Sequence, residues 1–338
     1  MIATSSRNAL RFRRPRLLIV GCGDVGMRVV LLLRGRWQLL ALTSSPARCT
    51  ELRAAGAVPI IGNLDAPATL ARLRGLADVV LHLAPPASHG TTDQRTANLL
   101  AALGDGDGAG AGAGGAASRQ GHLKRFVYVS TSGVYGDCGG ARIDETRTVR
   151  PATDRGRRRV DAEARVRAFG RSAGVAVALL RVPGMYALDR VGGDPRERVA
   201  RGTPVLTPAD DVFTNHIHAD DLARACVAAL YRALPQRAIH ICDDTELKMG
   251  DYFDLVADLF ALPRPPRAPR VPGAASADAA PAWSPMQLSF MNESRRLSNA
   301  RLKRELRLRL RYPTVTQGLA PDATEALIHA PFTTFPTP

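Results

Sequence analysis

The stretch RLLIVGCGDVGMRVVLLLRGRWQLLALT, residues 16–43, constrains this chain more than any other. A short apolar run leads into Gly21, Gly23 and Gly26 in GxGxxG spacing, and an apolar helical pattern follows before a second run. Alone the glycine pattern says little, but between a strand and a helix each glycine has a physical task. One makes the tight turn, one lets the backbone approach a pyrophosphate, and one lets helix and strand pack closely. The helix start then offers unpaired N–H groups to phosphates. This reading places a dinucleotide on Gly21, Cys22, Gly23, Asp24, Val25 and Gly26.

The rest of the chain repeats the unit. RLLIV (16–20), WQLLALT (37–43), VPII (58–61), DVVLHLA (78–84), RFVYVS (125–130) and VAVALLR (175–181) are short apolar runs without polar alternation, separated by helical patterns. Such runs suit strands covered on both faces. Their alternation with helices predicts an α/β fold, a Rossmann-type doubly wound parallel sheet with a smaller C-terminal substrate lobe. Residues 16–180 and 215–245 are assigned to the dinucleotide-binding domain, 181–214 and 246–315 to the substrate lobe, 1–15 to a disordered basic arm and 316–338 to a tail. GDGDGAGAGAGG (104–115) carries seven glycines in twelve positions and predicts a flexible loop spanning 104–122. The proline-rich stretch 263–285 reads as a loop between helical patterns at 249–262 and 292–306.

Of the 338 residues 45% are hydrophobic and 23% charged, and no apolar run approaches a membrane span. The net charge of +15 raises nucleic acid as a partner, but the 43 Arg and 3 Lys are scattered rather than gathered into a patch. Nucleic-acid binding is not expected. Cys22, Cys49, Cys138, Cys226 and Cys242 form no CxxC pair and have no His at ligand spacing, which predicts reduced thiols, a cytoplasmic protein and no metal.

The end of the second strand normally separates the two nicotinamide dinucleotides, an acid there binding the ribose 2′-OH and repelling a 2′-phosphate. Here Thr43, Ser44 and Ser45 occupy that place and Arg48 follows, which favours NADP over NAD. Ser45 also stands where it can cap a helix beginning at Pro46.

Beyond the glycines, GNLD (62–65), LHLAPP (81–86), YVSTSGVYGD (128–137), LLRVPGMYA (179–187), NHIHADDLARACVAAL (215–230) and LRYP (310–313) resemble an extended short-chain dehydrogenase/reductase of the NAD-dependent epimerase/dehydratase type. The resemblance implies adenine contacts at Asn63 and Leu64, further cofactor contacts at Leu83, Ala84, Pro85 and Ser130, and a small-molecule substrate, with a homodimer possible. It also implies a catalytic Ser or Thr four positions before the Tyr of the VYG segment, a role that Thr131 fits, and a Tyr and Lys spaced YxxxK on the next helix. Counting back from Glu163 places those two on Arg155 and Arg159, within DRGRRRVDAE. The chain therefore resembles the atypical members that keep the glycine motif and lose part of the active site.

That replacement has a chemical consequence. The family Tyr, with an ordinary pKa of about 10, exchanges a proton with the substrate oxygen. Arg155 stays protonated and cannot do so, while Arg159 can still donate to ribose hydroxyls. Thr131 or Ser132 would bond the substrate oxygen, and Tyr186, near a strand end, is a candidate proton source. A non-catalytic NADP(H) sensor is the competing reading. The arginine-rich helix also has an ordinary account: Asp161 with Arg165 and Glu163 with Arg167 as i, i+4 pairs, and Val160, Ala164 and Ala168 as the packing face.

Overall fold

A computed structural model describes residues 14–104, 123–270 and 283–320. Most of the basic arm, the glycine-rich loop and the tail lie outside the described residues.

Seven strands form one parallel sheet: β1 (Arg16–Val20), β2 (Gln38–Thr43), β3 (Val58–Ile61), β4 (Val79–His82), β5 (Arg125–Thr131), β6 (Ala176–Val182) and β7 (Arg237–His240). Their order across the sheet is β3-β2-β1-β4-β5-β6-β7. All six predicted strands are present, and β7 joins them by pairing with β6 from Arg237↔Ala178 to His240↔Arg181. In β1 the pleat divides consecutive apolar residues between two layers. Leu17 and Ile19 pack with helix α1 (Asp24–Leu33) and helix α6 (Ala219–Arg232), while Leu18 and Val20 pack with helices α3 (Gln94–Leu103) and α4 (Asp154–Ser172). This is why the strands lack alternation: both faces are covered.

Between these elements lie α2 (Cys49–Ala55), α5 (Pro195–Ala200) and α7 (Met249–Leu259). A third apolar cluster gathers Tyr186, Val199, Val205, Tyr252, Phe253, Val256, Val315 and Leu319. The helical pattern after β3 is a 3-10 helix, Pro67–Leu73. The pattern at 292–306 does not form one helix. Strand Arg296–Leu297 pairs with Arg142–Ile143, and only Ala300–Glu305 is α-helical beyond it. Buried Asn299 explains the break, since its amide donates to the carbonyls of Cys242 and Asp243 instead of riding on a helix surface.

Helix α4 also turns a different face inward from the one expected. Ala162, Glu163, Val166 and Gly170 are buried, whereas Ala164 and Ala168 are exposed. Two causes fix this rotation. A Cβ on Gly170 would lie 2.4 Å from Val177 Cγ2, so the helix meets the sheet along its smallest side chains. Glu163, expected on the solvated face, instead forms a buried bidentate pair with Arg181 of β6 (3.1 and 2.7 Å). Arg167 therefore donates to the Gln236 carbonyl, and only Asp161–Arg165 forms as an i, i+4 pair, at 2.8 Å.

Candidate active site

β1 has β2 on one side and β4 on the other, so the chain leaves it in opposite directions and a crevice opens at the C-terminal strand ends. There a cleft of about 950 Å³ runs from the glycine loop to the ends of β5 and β6.

The three glycines divide their work as their spacing requires. Gly21 has φ +87°, and a Cβ on it would lie 2.4 Å from the Ala84 backbone nitrogen; one on Gly23 would have nothing within 4 Å; one on Gly26 would lie 3.2 Å from the Gly21 carbonyl oxygen. Gly21 thus makes the turn, Gly23 opens the loop to a ligand and Gly26 brings α1 close. Gly23 is the N-cap of α1 and has no side chain to satisfy the first N–H groups, leaving a cradle suited to a pyrophosphate. Asp24 would repel such a group, but Arg28 disarms it. That guanidinium bonds Asp24 (3.2 Å), Asp189 (2.7 Å) and Asp220 (2.5 Å), and Arg190 adds a second bond to Asp24 (3.2 Å).

Cys22, Val25, Thr43, Ser44, Ser45, Arg48, Leu83, Pro85, Ser130, Thr131, Ser132, Arg155 and Arg159 all line the cleft with the glycines. Ser44 is exposed. Thr43 Oγ1 accepts the Ser45 N–H (3.2 Å), and Ser45 precedes the 3-10 turn Pro46–Arg48 without a side-chain cap bond. Arg48 donates to the Cys22 carbonyl (2.7 Å) and forms two 3.0 Å bonds to Glu51, so it ties the glycine loop to the start of α2. Ala84 lies behind the loop, backing Gly21. Exposed Asn63 accepts the Asp65 N–H on its side chain, and Leu64 packs into the core beside Leu42 and Leu70; neither lines the cleft.

At the other end Thr131 Oγ1 accepts the Gly133 N–H (3.2 Å), capping a short 3-10 turn that includes Ser132. Arg159 reaches the end of β5, donating to the Tyr128 hydroxyl and the Val129 carbonyl, both at 2.9 Å. Beneath them runs a buried chain of bonds. Ser130 Oγ and Arg181 share Glu163, Arg181 donates to the Tyr135 hydroxyl (2.7 Å), and that hydroxyl lies 2.6 Å from His240 Nε2. His240 Nδ1 lies 3.1 Å from the Ser298 carbonyl and must donate to it, so Nε2 accepts from Tyr135. Burial pushes this imidazole down to about 3, and the ring stays neutral.

Tyr186 is not at the site. It is 2% exposed within the third cluster, its hydroxyl directed at the Thr314 carbonyl and its ring against His218. Two residues that sequence reasoning missed are at the site: Glu293 and Arg295, joined by a 2.9 Å bond. A Cβ on Gly133 would lie 3.6 Å from Thr131 Oγ1 and 3.9 Å from Glu293 Oε2, so the two side chains face the same small volume. No pattern marked them, because residues 292–296 reach the cleft by long-range folding. Among the described residues lining the cleft there is no Tyr, His or Lys; the acids are Cys22, Asp24 and Glu293. Burial raises the Cys22 thiol to about 11 and Asp24, paired with Arg28 and Arg190, belongs to the glycine loop, whereas Glu293, paired with Arg295, is the acid that faces Thr131 across Gly133.

Strand order, glycine loop and cleft define a Rossmann-type α/β protein of the dinucleotide-binding kind. More narrowly, the chain belongs to the NAD dependent epimerase/dehydratase family, whose sequence model matches residues 17–242. No curated protein matches the sequence. Among solved structures, a functionally unknown conserved protein from Silicibacter pomeroyi is 27% identical with a TM-score of 0.67, the match covering 92% of this chain and 98% of the other. UDP-glucose 4-epimerase from Thermotoga maritima is 18% identical with a TM-score of 0.68, covering 93% and 100%. UDP-glucuronic acid 4-epimerase from Bacillus cereus, solved with NAD, is 16% identical with a TM-score of 0.66, covering 93% and 100%.

Proposed function

We propose that the protein is an NAD(P)-dependent oxidoreductase or epimerase-type enzyme acting on a small polar metabolite, with NADP preferred. The observation that carries this reading is the single cleft that joins the open Gly23 cradle to Thr131, Ser132 and Glu293. A bound nicotinamide dinucleotide would supply the hydride chemistry. The chain's own residues would do the rest. The N–H groups of the glycine loop and the start of α1 hold the pyrophosphate, and Arg159 keeps positive charge at the ribose end of the nicotinamide. Thr131 and Ser132 hydrogen-bond the substrate oxygen, and Glu293 takes the acid–base role that Arg155 cannot fill. The segments 181–214 and 246–315 select the substrate through side chains such as Phe213 and Met249. The absence of an acid at Thr43–Ser45 and the position of Arg48 support NADP.

A second reading, a redox sensor that binds the dinucleotide without turnover, is favoured by one observation. Arg159 is tied down by two hydrogen bonds at the strand end, where the family's Lys would act.

Thermal melts with NADP and NAD, followed by NADPH absorbance across a panel of carbonyl metabolites with product analysis, test the two together. Both dinucleotides should stabilise the fold by mass action. Arg48→Ala should weaken NADP about tenfold more than it weakens NAD, as expected for one charge-assisted phosphate contact beside the shared loss of its bond to the glycine loop. Stabilisation by neither dinucleotide would defeat both readings; stabilisation with no turnover and no epimerised product would leave the sensor.

A further inference from the structure

Beside the cleft lies a second, smaller cavity of about 280 Å³. Thr214 and Met249 line both, and a Cβ on Gly184, which lines the cleft, would lie 3.7 Å from His216 Cδ2, so the His216 ring stands where the two spaces meet. Sites that take up a whole drug-sized ligand measure roughly 300–1,000 Å³, so a cavity of this size suits one ring with a substituent.

One wall is a continuous run of rings. His216 stacks on Tyr252 with centroids 3.9 Å apart, Tyr252 meets Phe253 edge-on at 4.9 Å, and the Arg198 guanidinium lies over Phe253, 4.6 Å from the ring centre. The fold sets this run. Arg198 comes from α5, Tyr252 and Phe253 come from α7, and His216 from a short strand, His216–His218, parallel to Gly184–Tyr186. Met249 and Met291 add thioethers to the lining. Aromatic faces and polarizable sulfur favour a flat aromatic guest over an aliphatic one.

The polar groups in that wall are not spent on the protein. His216 is 6% exposed, and its Nδ1 has no hydrogen-bond partner among the described residues. Burial pushes this imidazole down to about 3, so the ring is neutral. Arg198 is then the one charged side chain among the described residues that line the cavity. It donates to the Pro204 carbonyl (3.2 Å), an uncharged acceptor, and its buried Nε has no partner among the described residues. The acids beside it are held elsewhere, Glu197 by Arg201 (3.9 Å) and Asp194 by Arg196 (2.6 Å). Loss of water, and then the like charge of Arg201, hold the Arg198 guanidinium below its ordinary value. A carboxylate would restore what that guanidinium lost with its water, and the planar fork fits a carboxylate in shape as well as sign.

We propose that this cavity holds a planar aromatic ring bearing a carboxylate, with the ring against His216, Tyr252 and the two methionines and the carboxylate on Arg198, and that this group is the far end of a substrate whose other end lies in the cleft. The inference rests on the function proposed above only in calling the ligand a substrate; the cavity itself binds the ring without turnover.

Methyl NMR of the full chain carrying isotope-labelled methionine, titrated with benzoate, reads both place and affinity. Met291 lines the cavity and not the cleft, and Met185 lines the cleft and not the cavity. Benzoate should shift the Met249 and Met291 methyls, leave Met185 in place and saturate in roughly the millimolar range that so small a ligand allows. Benzamide, which lacks the charge, and cyclohexanecarboxylate, which lacks the flat ring, should each bind about fivefold more weakly. Arg198→Gln should bring benzoate down to the level of benzamide and leave benzamide itself unchanged, a pattern that general loosening of the fold would not produce. Saturating NADP should leave the benzoate titration as it is, and NADP binding is read separately by thermal melts, so failure of the dinucleotide reading is scored apart from failure of this one. The proposal is overturned if Met185 moves and Met291 does not, if benzamide or cyclohexanecarboxylate binds as tightly as benzoate, or if Arg198→Gln leaves benzoate affinity unchanged. Displacement of benzoate by NADP, or tighter occupation of the cavity by uridine diphosphate, overturns it equally.

Discussion

The two ends of the cleft are built from different material. The end proposed to hold the cofactor is mostly backbone: Gly21 turns the chain, Gly23 leaves open space and Gly26 admits the helix. The opposite end is mostly side chain, drawn from β5, from the first turns of α4 and from Glu293 and Arg295. Backbone sites tie residue identity to short spacing, whereas side-chain sites tie it only to position in space. Here the second end carries Arg155, Arg158, Arg159 and Arg295.

Three experiments sharpen that contrast, beginning with the largest effect. Gly23→Val places a side chain into the open space of the cradle, with no protein atom within 4 Å of its Cβ. The free protein should melt within a degree or two of the parent, while stabilisation by NADP disappears entirely. A large drop in the unliganded melting temperature would show that the glycine serves the fold rather than the ligand.

Glu163→Ala attacks the support beneath the other end. It strands Arg181 in the core and removes the acceptor of Ser130, so unfolding should become easier by roughly 3–5 kcal/mol, the usual result of breaking one side of a buried pair. Urea unfolding measures it. A cost under 1 kcal/mol would mean that water reaches the pair.

The third effect is spread over pH. Burial holds His82, His216 and His240 down to about 3, whereas an unfolded histidine titrates near 6.5. Between those values the unfolded chain binds more protons than the native one, so stability rises with pH and is lost as pH falls through about 6.5 toward 3. Each ring contributes about 1.4 kcal/mol per pH unit in that window. Urea midpoints should therefore fall steadily from pH 6.5 to pH 5, and a flat profile would show that the rings accept protons in the folded state.

Much of the architecture was legible because it is local. The six apolar runs became strands at nearly the expected limits, since a strand covered on both faces must be apolar throughout. β7 was not singled out, as RAIH is too short to carry a period. The inward face of α4 was misread because helical periodicity weighs apolar residues and assigns a glutamate to water, whereas Glu163 is paired with Arg181 of the strand that follows the helix. Tyr186 looked promising because it follows a strand, but its ring belongs to the packing around Gly318, where a Cβ would fall 2.3 Å from the tyrosine hydroxyl. Glu293 and Arg295 were invisible for the converse reason. They lie in a segment whose pattern read as helix, and its pairing with Arg142–Ile143 together with bonds from Ser294 and Arg295 to residues 136–140 holds them at the cleft.

The fan of bonds around Arg28 has a consequence for the paths by which this sequence can change. One guanidinium serves Asp24, Asp189 and Asp220, drawn from α1, from the loop after Tyr186 and from the start of α6. A neutral residue at position 28 would leave three carboxylates crowded at the mouth of the phosphate cradle, whereas loss of any one acid leaves the other two in place. The four positions are thus unequal in tolerance: the acids can be exchanged singly, and the arginine can be exchanged only after them.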